Sequence, residues 1–175
     1  MLLRRTGRSP RWRYFSLTQV NSGRDDKPDG WTLWSAPESE HVHGRAAFRA
    51  AEAARRQDRF DAMHVALLQA RHEDKQDLDD PAVLEDCARA AGLDQERFER
   101  DLAEPDLLDA VRRDHEEAVE RYKVFGTPTF VGESGQAFYL RLREVPEGQE
   151  AERAVSRIEE LIDDLPYVLE VKRPA

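Results

Sequence analysis

The sequence predicts an α/β fold in which a block of helices separates one strand from a hairpin and a final helix. Three observations support this prediction. An aromatic run at residues 12–17 is typical of a strand, apolar residues recur at helical spacing between about residues 44 and 122, and two apolar runs at 129–131 and 137–142 have the lengths of strands. An amphipathic stretch near the carboxyl end predicts the last helix.

The helical block divides at residues that favour helix ends. Asp80 followed by Pro81 predicts an N-cap and a proline at the first helical position, and Gly92 suits the position after that helix. Asp94 caps a further short helix, and Pro105 begins the next one. The positions that form the apolar stripes are Phe60, Met63, His64, Leu67, Leu68, Val83, Leu84, Cys87, Ala88, Ala91, Phe98, Leu102, Leu108, Val111, His115, Ala118, Val119 and Tyr122.

The two carboxyl-terminal runs predict a hairpin. Residues 137–142 alternate in polarity, which places Phe138, Leu140 and Leu142 on one face, and the four residues 132–135 suit a hairpin loop. Between the aromatic run and the helices, Trp31 and Trp34 either line a groove for substrate or cap the junction of sheet and helices, and we favour the second interpretation.

Composition and charge exclude several functional classes. At 175 residues, one domain is expected. Residues 1–50 carry 9 basic and 5 acidic side chains, whereas the remainder carries 18 and 31. The excess of acidic side chains after residue 50 argues against general nucleic-acid binding. We expect the basic start, with Arg4, Arg5, Arg8, Arg11 and Arg13, to be a frayed, solvated terminus rather than a phosphate-binding arm.

Two features predict a cytoplasmic protein without a membrane partner. No apolar run approaches the roughly 20 residues of a membrane helix, and the start of the chain lacks the apolar core of a secretory signal. The single cysteine, Cys87, excludes an intramolecular disulfide and fits a reducing compartment.

Three segments resemble the DsbA family of thioredoxin-fold proteins, in particular its cytoplasmic, polyketide-oxidoreductase-like branch. They are Trp12–Leu17 with Val20-Asn21 behind it, Ala66–Glu73 and Val124–Val131, and the Gly-Thr-Pro-Thr-Phe stretch in the last is the most specific. The resemblance covers nearly all of residues 11–165. It implies a single thioredoxin-like domain over residues 1–175, with an inserted helical subdomain at about 44–122.

Members of that family begin with a strand that leads to a Cys-x-x-Cys motif at the start of the first helix. This chain has no such motif, so the resemblance implies an amino-terminally incomplete fold that lacks this strand and the active-site helix. Three explanations are open: a start codon placed too far downstream, which we favour, a true remnant, or a strand supplied by another polypeptide. An open slot between strands favours pairing with another chain, including self-association.

The same resemblance assigns a substrate-binding role to Thr127 and Pro128. It implies a cis bond between them, which turns the Thr127 N–H and C=O outward to pair with an extended peptide or with glutathione in a β-like manner. Without the family, an ordinary trans proline that opens an edge strand would be expected.

The remaining residues predict no catalytic, metal or cofactor site. Cys87 lies on the apolar face of its helix, where a thiol is unreactive. His41 and His43 share one side of an extended segment, but no cysteine or fixed carboxylate lies at ligand spacing in the sequence. His64 and His115 fall on apolar stripes, and no pocket accompanies the acid pairs, Asp79-Asp80 among them.

The family resemblance implies a thiol-disulfide oxidoreductase. Disulfide exchange needs an attacking thiolate and a resolving thiol, and this chain has one cysteine, so we expect it not to catalyse that reaction. Whether the chain is an enzyme stays open. Two alternatives remain. One is a non-enzymatic module that binds a peptide or partner through the Thr127-Pro128 edge. The other is a glutathione-dependent isomerase or transferase of the hydroxychromene-carboxylate isomerase type, in which glutathione supplies the thiol.

Overall fold

The computed structural model describes residues 3, 6–24, 27–165 and 167–168, so Arg4 and Arg5 of the basic start lie outside it. In that part of the chain, helices and strands follow the order α1 Leu17–Asn21, α2 Arg45–Arg55, α3 Phe60–His72, α4 Pro81–Ala90, α5 Gln95–Leu102, α6 Leu107–Glu120, β1 Thr129–Val131, β2 Ala137–Tyr139 and α7 Gly148–Asp163. A 3₁₀ turn at Ser22–Arg24 follows α1. None of these helices is long and apolar enough to cross a membrane.

The chain divides into two compact units. One comprises residues 16–115 and holds the helices α1 to α5 with most of α6, and we call it the helical unit. The other comprises residues 1–15 and 116–175, with the hairpin and α7, and we call it the hairpin unit. The order of helices followed by two strands and a helix agrees with an α/β fold. The assignment of the whole chain to a single domain stays a prediction.

Capping residues set the ends of α4 and α5. The Asp80 carboxylate accepts a hydrogen bond from the Ala82 N–H at 2.9 Å, with Pro81 in the first turn. Asp94 accepts from the Arg97 N–H of α5, also at 2.9 Å. These caps, predicted from the sequence, are confirmed. They satisfy N–H groups that a helix start otherwise leaves without a partner.

The core of the helical unit is built around α2. This helix contributes four buried alanines, Ala50, Ala51, Ala53 and Ala54, whose small side chains allow close approach, and it packs against α3, α4 and α5. Larger side chains fill the space between the helices and are fully buried: Leu33, Met63, Phe98, Leu107 and Val111. Each stabilises the fold by about 1.5–3 kcal/mol through burial of apolar surface.

A buried arginine fixes the turn segment before α2. Arg45 is 8% exposed. Its guanidinium donates hydrogen bonds to the carbonyl oxygens of Ala36, Pro37 and Glu40 at 2.9, 3.2 and 2.8 Å. These carbonyls belong to turns rather than to a regular element, so the arginine supplies the donors that they would otherwise lack.

In the hairpin unit, β1 and β2 form a two-stranded antiparallel sheet. The register pairs Thr129 with Tyr139, Phe130 with Phe138 and Val131 with Ala137. The predicted hairpin is therefore confirmed, although β2 ends at Tyr139 and not at Leu142. Phe130 and Phe138 are half-buried on one face, whereas Val131 and Tyr139 are exposed on the other.

Ion pairs hold the segment before residue 15 in the same unit. Arg8 donates hydrogen bonds to Glu159 at 3.1 Å and to Glu152 at 2.9 Å, both on α7, and these bonds raise its pKa. Arg13 lies 3.7 Å from the Glu117 carboxylate. The expectation of a frayed, solvated basic start is therefore wrong at Arg8, because the acidic face of α7 attracts it.

The predicted strand at residues 12–17 is wrong. Residues 12–15 form no strand, and Ser16 instead caps α1, its Oγ accepting from the Gln19 N–H at 3.0 Å. Aromatic residues favour strands only where a neighbouring strand supplies the hydrogen-bond ladder. The described residues offer no strand beside this segment, since their sheet consists of β1 and β2.

The hairpin turn lies so close to α7 that only glycine fits at position 132. A Cβ atom on Gly132 would clash with the Asp163 Oδ1 and would lie 2.5 Å from the Ile162 Cγ2. The Asp163 carboxylate also accepts from the N–H and Oγ of Ser134, at 3.4 and 3.3 Å. Moving Asp163 aside would therefore break the bonds that dock the turn.

We predict that Gly132→Ala lowers the free energy of unfolding by about 1–3 kcal/mol, because overpacking displaces Ile162 and Asp163. Urea denaturation followed by circular dichroism measures this change. Gly23→Ala is the control, since a Cβ atom on Gly23 meets nothing within 4 Å. Equal stability of the two variants would contradict the close approach.

Candidate functional site: the proline loop and the edge of the hairpin

The proline loop, residues 121–128, joins the end of α6 to β1. Lys123 takes a left-handed φ of 54°, and the Val124 N–H donates back to the Ala118 carbonyl at 2.9 Å, which ends the helix. Gly126 is buried, and a Cβ atom there would come within 3.2 Å of the Tyr139 ring. The loop therefore lies against β2.

Thr127 and Pro128 are exposed, and the peptide bond between them is cis, in agreement with the expectation from the resemblance. Two hydrogen bonds fix their surroundings. The Thr129 Oγ1 donates to the Gly126 carbonyl at 2.7 Å. The Leu140 N–H donates to the Pro128 carbonyl at 3.1 Å, which continues the β1–β2 ladder into the loop.

The outer side of β1 presents unpaired backbone groups, and we call it the open edge. Hydrogen bonds to the residues that flank β2 occur on both sides of Phe130: the Leu140 N–H donates to the Pro128 carbonyl, and the Gly132 N–H donates to the Gln136 carbonyl. Since backbone groups alternate between the two sides of a strand, those of Thr129 and Val131 point away from β2. No other strand pairs with them in the described part of the chain. The N–H and C=O of Thr127 have no hydrogen-bond partner there either.

Three large apolar side chains border the open edge. Phe125 is 69% exposed, and its ring lies 5.2 Å from the Tyr139 ring at 44°. Tyr139 and Val131 are 41% and 44% exposed and stand on the same face of the hairpin. Apolar groups grouped in this way beside free backbone donors and acceptors are typical of a surface that binds another chain.

The sequence identified only part of this surface. The family motif assigns Thr127 and Pro128 to substrate binding, and this role stays a prediction. The sequence predicts strands at Val131 and Tyr139 and gives neither of them, nor Phe125, a binding role. The alternation of the strands puts Val131 and Tyr139 on one face, but the sequence carries no signal that this face is exposed.

Cys87 is the only thiol in the sequence and lies in α4 of the helical unit. It is 6% exposed. Burial raises the pKa of the thiol, and the nearby charges of Asp86 and Asp74 raise it further. The thiolate required for nucleophilic attack is therefore disfavoured, as the position of Cys87 on an apolar stripe predicts.

The fold gives His41 and His43 a carboxylate neighbour that does not lie at ligand spacing in the sequence. Asp79, 36 residues after His43, places its Oδ2 2.7 Å from the His43 Nδ1 and 3.7 Å from the His41 Nε2. Its Oδ1 accepts from the Gly44 N–H at 3.0 Å. Within the described residues, no group of three or more ligand side chains could hold a metal ion. The cluster ties the segment before α2 to the segment before α4.

Packing contacts involve Trp31, Trp34 and His115. The Trp31 Nε1 donates to Glu40 at 3.1 Å beneath the Lys27 ammonium, and hydrogen bonds from Lys27 and Trp31 lower the pKa of Glu40. The Trp34 ring lies 5.5 Å from the ring of His115, which is buried. These contacts favour a packing role over a groove for substrate.

Comparison with known proteins connects this geometry to a family. The family described as DSBA-like thioredoxin domain matches residues 36–150, well over half of the chain. The matched range includes α2 to α6, the proline loop and both strands. No curated protein matches the chain.

We predict that Cys87 reacts with a thiol-specific disulfide reagent roughly a hundredfold more slowly in the folded chain than in guanidinium chloride. The raised pKa keeps the thiol protonated at neutral pH. Burial of the protonated thiol contributes to the free energy of unfolding. This contribution is fully present below the pKa of the unfolded thiol and is lost as the pH rises through the pKa of the folded thiol. The absorbance of the released thiolate measures the rate.

The control carries Cys87→Ser with Ala90→Cys, which moves the thiol to an exposed position on the same helix. We expect this variant to react at nearly the same rate folded and unfolded. Rapid stoichiometric reaction of Cys87 in the native chain at neutral pH would contradict its burial.

Proposed function

Because the chain belongs to the family of DSBA-like thioredoxin domains, we propose that its open edge binds an extended segment of a thiol- or disulfide-containing polypeptide. The observation that carries this proposal is the set of outward backbone groups on Thr129 and Val131, next to the exposed and unpaired Thr127. An extended peptide can pair with such groups as an added strand. Each backbone hydrogen bond contributes about 0.5–1.5 kcal/mol.

The side chains near the edge support the same ligand class. Backbone pairing gives affinity without sequence preference, and the exposed Phe125, Tyr139 and Val131 offer apolar contact to alternate residues of the bound segment. An unfolded or partly folded polypeptide exposes both its backbone and its apolar side chains. A folded protein with its edges covered exposes neither, so the proposed site selects for non-native substrates.

In our proposal this chain holds the substrate and does not exchange disulfides by itself. Thiol-disulfide exchange proceeds by attack of a thiolate and resolution by a second thiol. The single cysteine of the sequence is buried, and its pKa is raised. Glutathione, a small peptide with an extended backbone, is a candidate competitor for the same edge. We also propose that the chain belongs to the polyketide-oxidoreductase-like branch of the family and that it lies in the cytoplasm. Both proposals rest on the sequence alone.

We predict that Val131→Pro weakens binding of a dye-labelled, reduced and alkylated unfolded polypeptide about tenfold. Proline removes the outward N–H and places its ring against the incoming strand. It leaves the β1–β2 ladder intact, because the Val131 N–H does not face β2. Fluorescence anisotropy measures the affinity, and circular dichroism verifies the fold.

Ala137→Pro is the matched control, since Ala137 pairs opposite Val131 and its N–H points to the far side of β2. We expect the control to bind the polypeptide with unchanged affinity. Equal losses in the two variants would mean that the open edge of β1 is not the binding site. Sedimentation at several concentrations tests whether a second copy of the chain occupies the same edge.

A separate prediction concerns chemistry. We expect the chain to accelerate the reduction of insulin by dithiothreitol no more than its Cys87→Ser variant does, because no accessible thiolate is present. Turbidity from the precipitating insulin chain measures the rate. Catalysis by the unmodified chain that disappears in Cys87→Ser would overturn the proposed non-exchanging role.

A further inference from the structure

A cavity of about 570 Å³ opens in the helical unit, between α2, α4 and α5. Its floor is apolar: Ala46 and Leu102 are half-buried, and Leu84 and Phe98 are almost wholly buried, at 4% and 0% exposed. The volume falls in the range of roughly 300–1,000 Å³ that is typical of small-molecule sites. The lining residues lie between residues 38 and 105, so the cavity shares no residue with the proline loop or the hairpin.

The rim of this cavity carries uncompensated negative charge. Glu85 of α4 and Glu99 of α5 line it and are exposed, and neither has a partner among the residues that the structure describes. The third rim carboxylate, Glu38, is paired with Arg49 at 2.6 Å. The Arg49 guanidinium also donates to the Glu104 carbonyl at 3.3 Å. The one cation of the lining is therefore already neutralised, and two carboxylates remain.

We propose that this cavity binds a small organic ammonium ion. Its alkyl or aryl body lies on Ala46 and Leu102, whose remaining exposed apolar surface is removed from water on binding. Its protonated amine lies at the mouth near Glu85 and Glu99. The amine stays partly hydrated there, so the ion pairs form without the full cost of burying a charge. An organic anion would be repelled by the carboxylates of Glu85 and Glu99, and a neutral molecule would form no ion pair with them.

Isothermal titration of the full chain with octylammonium, 1-octanol and octanoate tests the charge preference. These probes share one alkyl chain and differ in the charge of the head group. We expect saturable binding of octylammonium, weaker binding of 1-octanol and the weakest binding of octanoate. Absence of saturable octylammonium binding, or octanoate binding of equal strength, would overturn the proposal.

Two sets of variants locate the site. We expect Glu85→Gln with Glu99→Gln to weaken octylammonium binding about fivefold to tenfold, the effect of two partly exposed ion pairs, and to leave 1-octanol binding within about twofold. Glu133→Gln with Glu144→Gln removes the same charge from exposed positions in the hairpin unit and should change neither. Equal losses in the two double variants would show a general effect of net charge and overturn the site.

A filling variant tests the apolar floor. Ala46→Leu adds volume to the floor and should weaken octylammonium and 1-octanol alike. Where its circular dichroism departs from that of the unmodified chain, Ala103→Leu serves instead, because Ala103 is exposed and lines the same cavity. Unchanged binding in a folded filling variant would place the ligand elsewhere. None of these variants alters the open edge, so the outcome is independent of the proposed peptide binding.

Discussion

The helical unit is closed by one buried hydrogen bond between its first and last residues. The Ser16 N–H donates to the His115 Nδ1 at 3.2 Å, and both residues are about 95% buried or more. The acceptor nitrogen carries no proton, so the neutral imidazole is the form that fits. An unpaired N–H buried at this point would cost about 1–3 kcal/mol. The Oγ of the same Ser16 caps α1, so one residue fixes both the start of the unit and its closure.

This closure fixes where the chain enters and leaves the helical unit. The chain enters at Ser16 and leaves at His115, within α6, which continues to Glu120 and leads directly into the proline loop. The loop and the open edge are positioned by a second set of local contacts. Gly126 lies against Tyr139, the Pro128 carbonyl extends the ladder, and Gly132 docks the turn on α7. Backbone hydrogen bonds thus occupy the inner side of β1 and leave its outer side free.

The elements predicted well from the sequence are those with local causes. The Asp80-Pro81 start and the Asp94 cap depend on groups two or three residues away, and the hairpin of residues 129–139 depends on a four-residue turn. The strand predicted at residues 12–17 depended on a partner far along the chain, which the described residues do not supply. Propensity alone could not decide it, because a strand needs a ladder. The sequence did not predict the pairing of His43 with Asp79 either, because the two residues lie 36 positions apart in the chain.

The sequence by itself determined the family, the positions of the long helices, the proline motif and the single cysteine in an apolar stripe. Each follows from spacing or from a short motif, and none of them requires knowledge of distant contacts. Only the tertiary structure decided which side of β1 stays open, which apolar residues stay exposed beside it and which carboxylates stay unpaired around the helical cavity. These features are the backbone groups and side chains that stay unpaired or exposed after distant segments have packed together. The sequence pattern does not show which segments will pack together, so it cannot show which groups stay free.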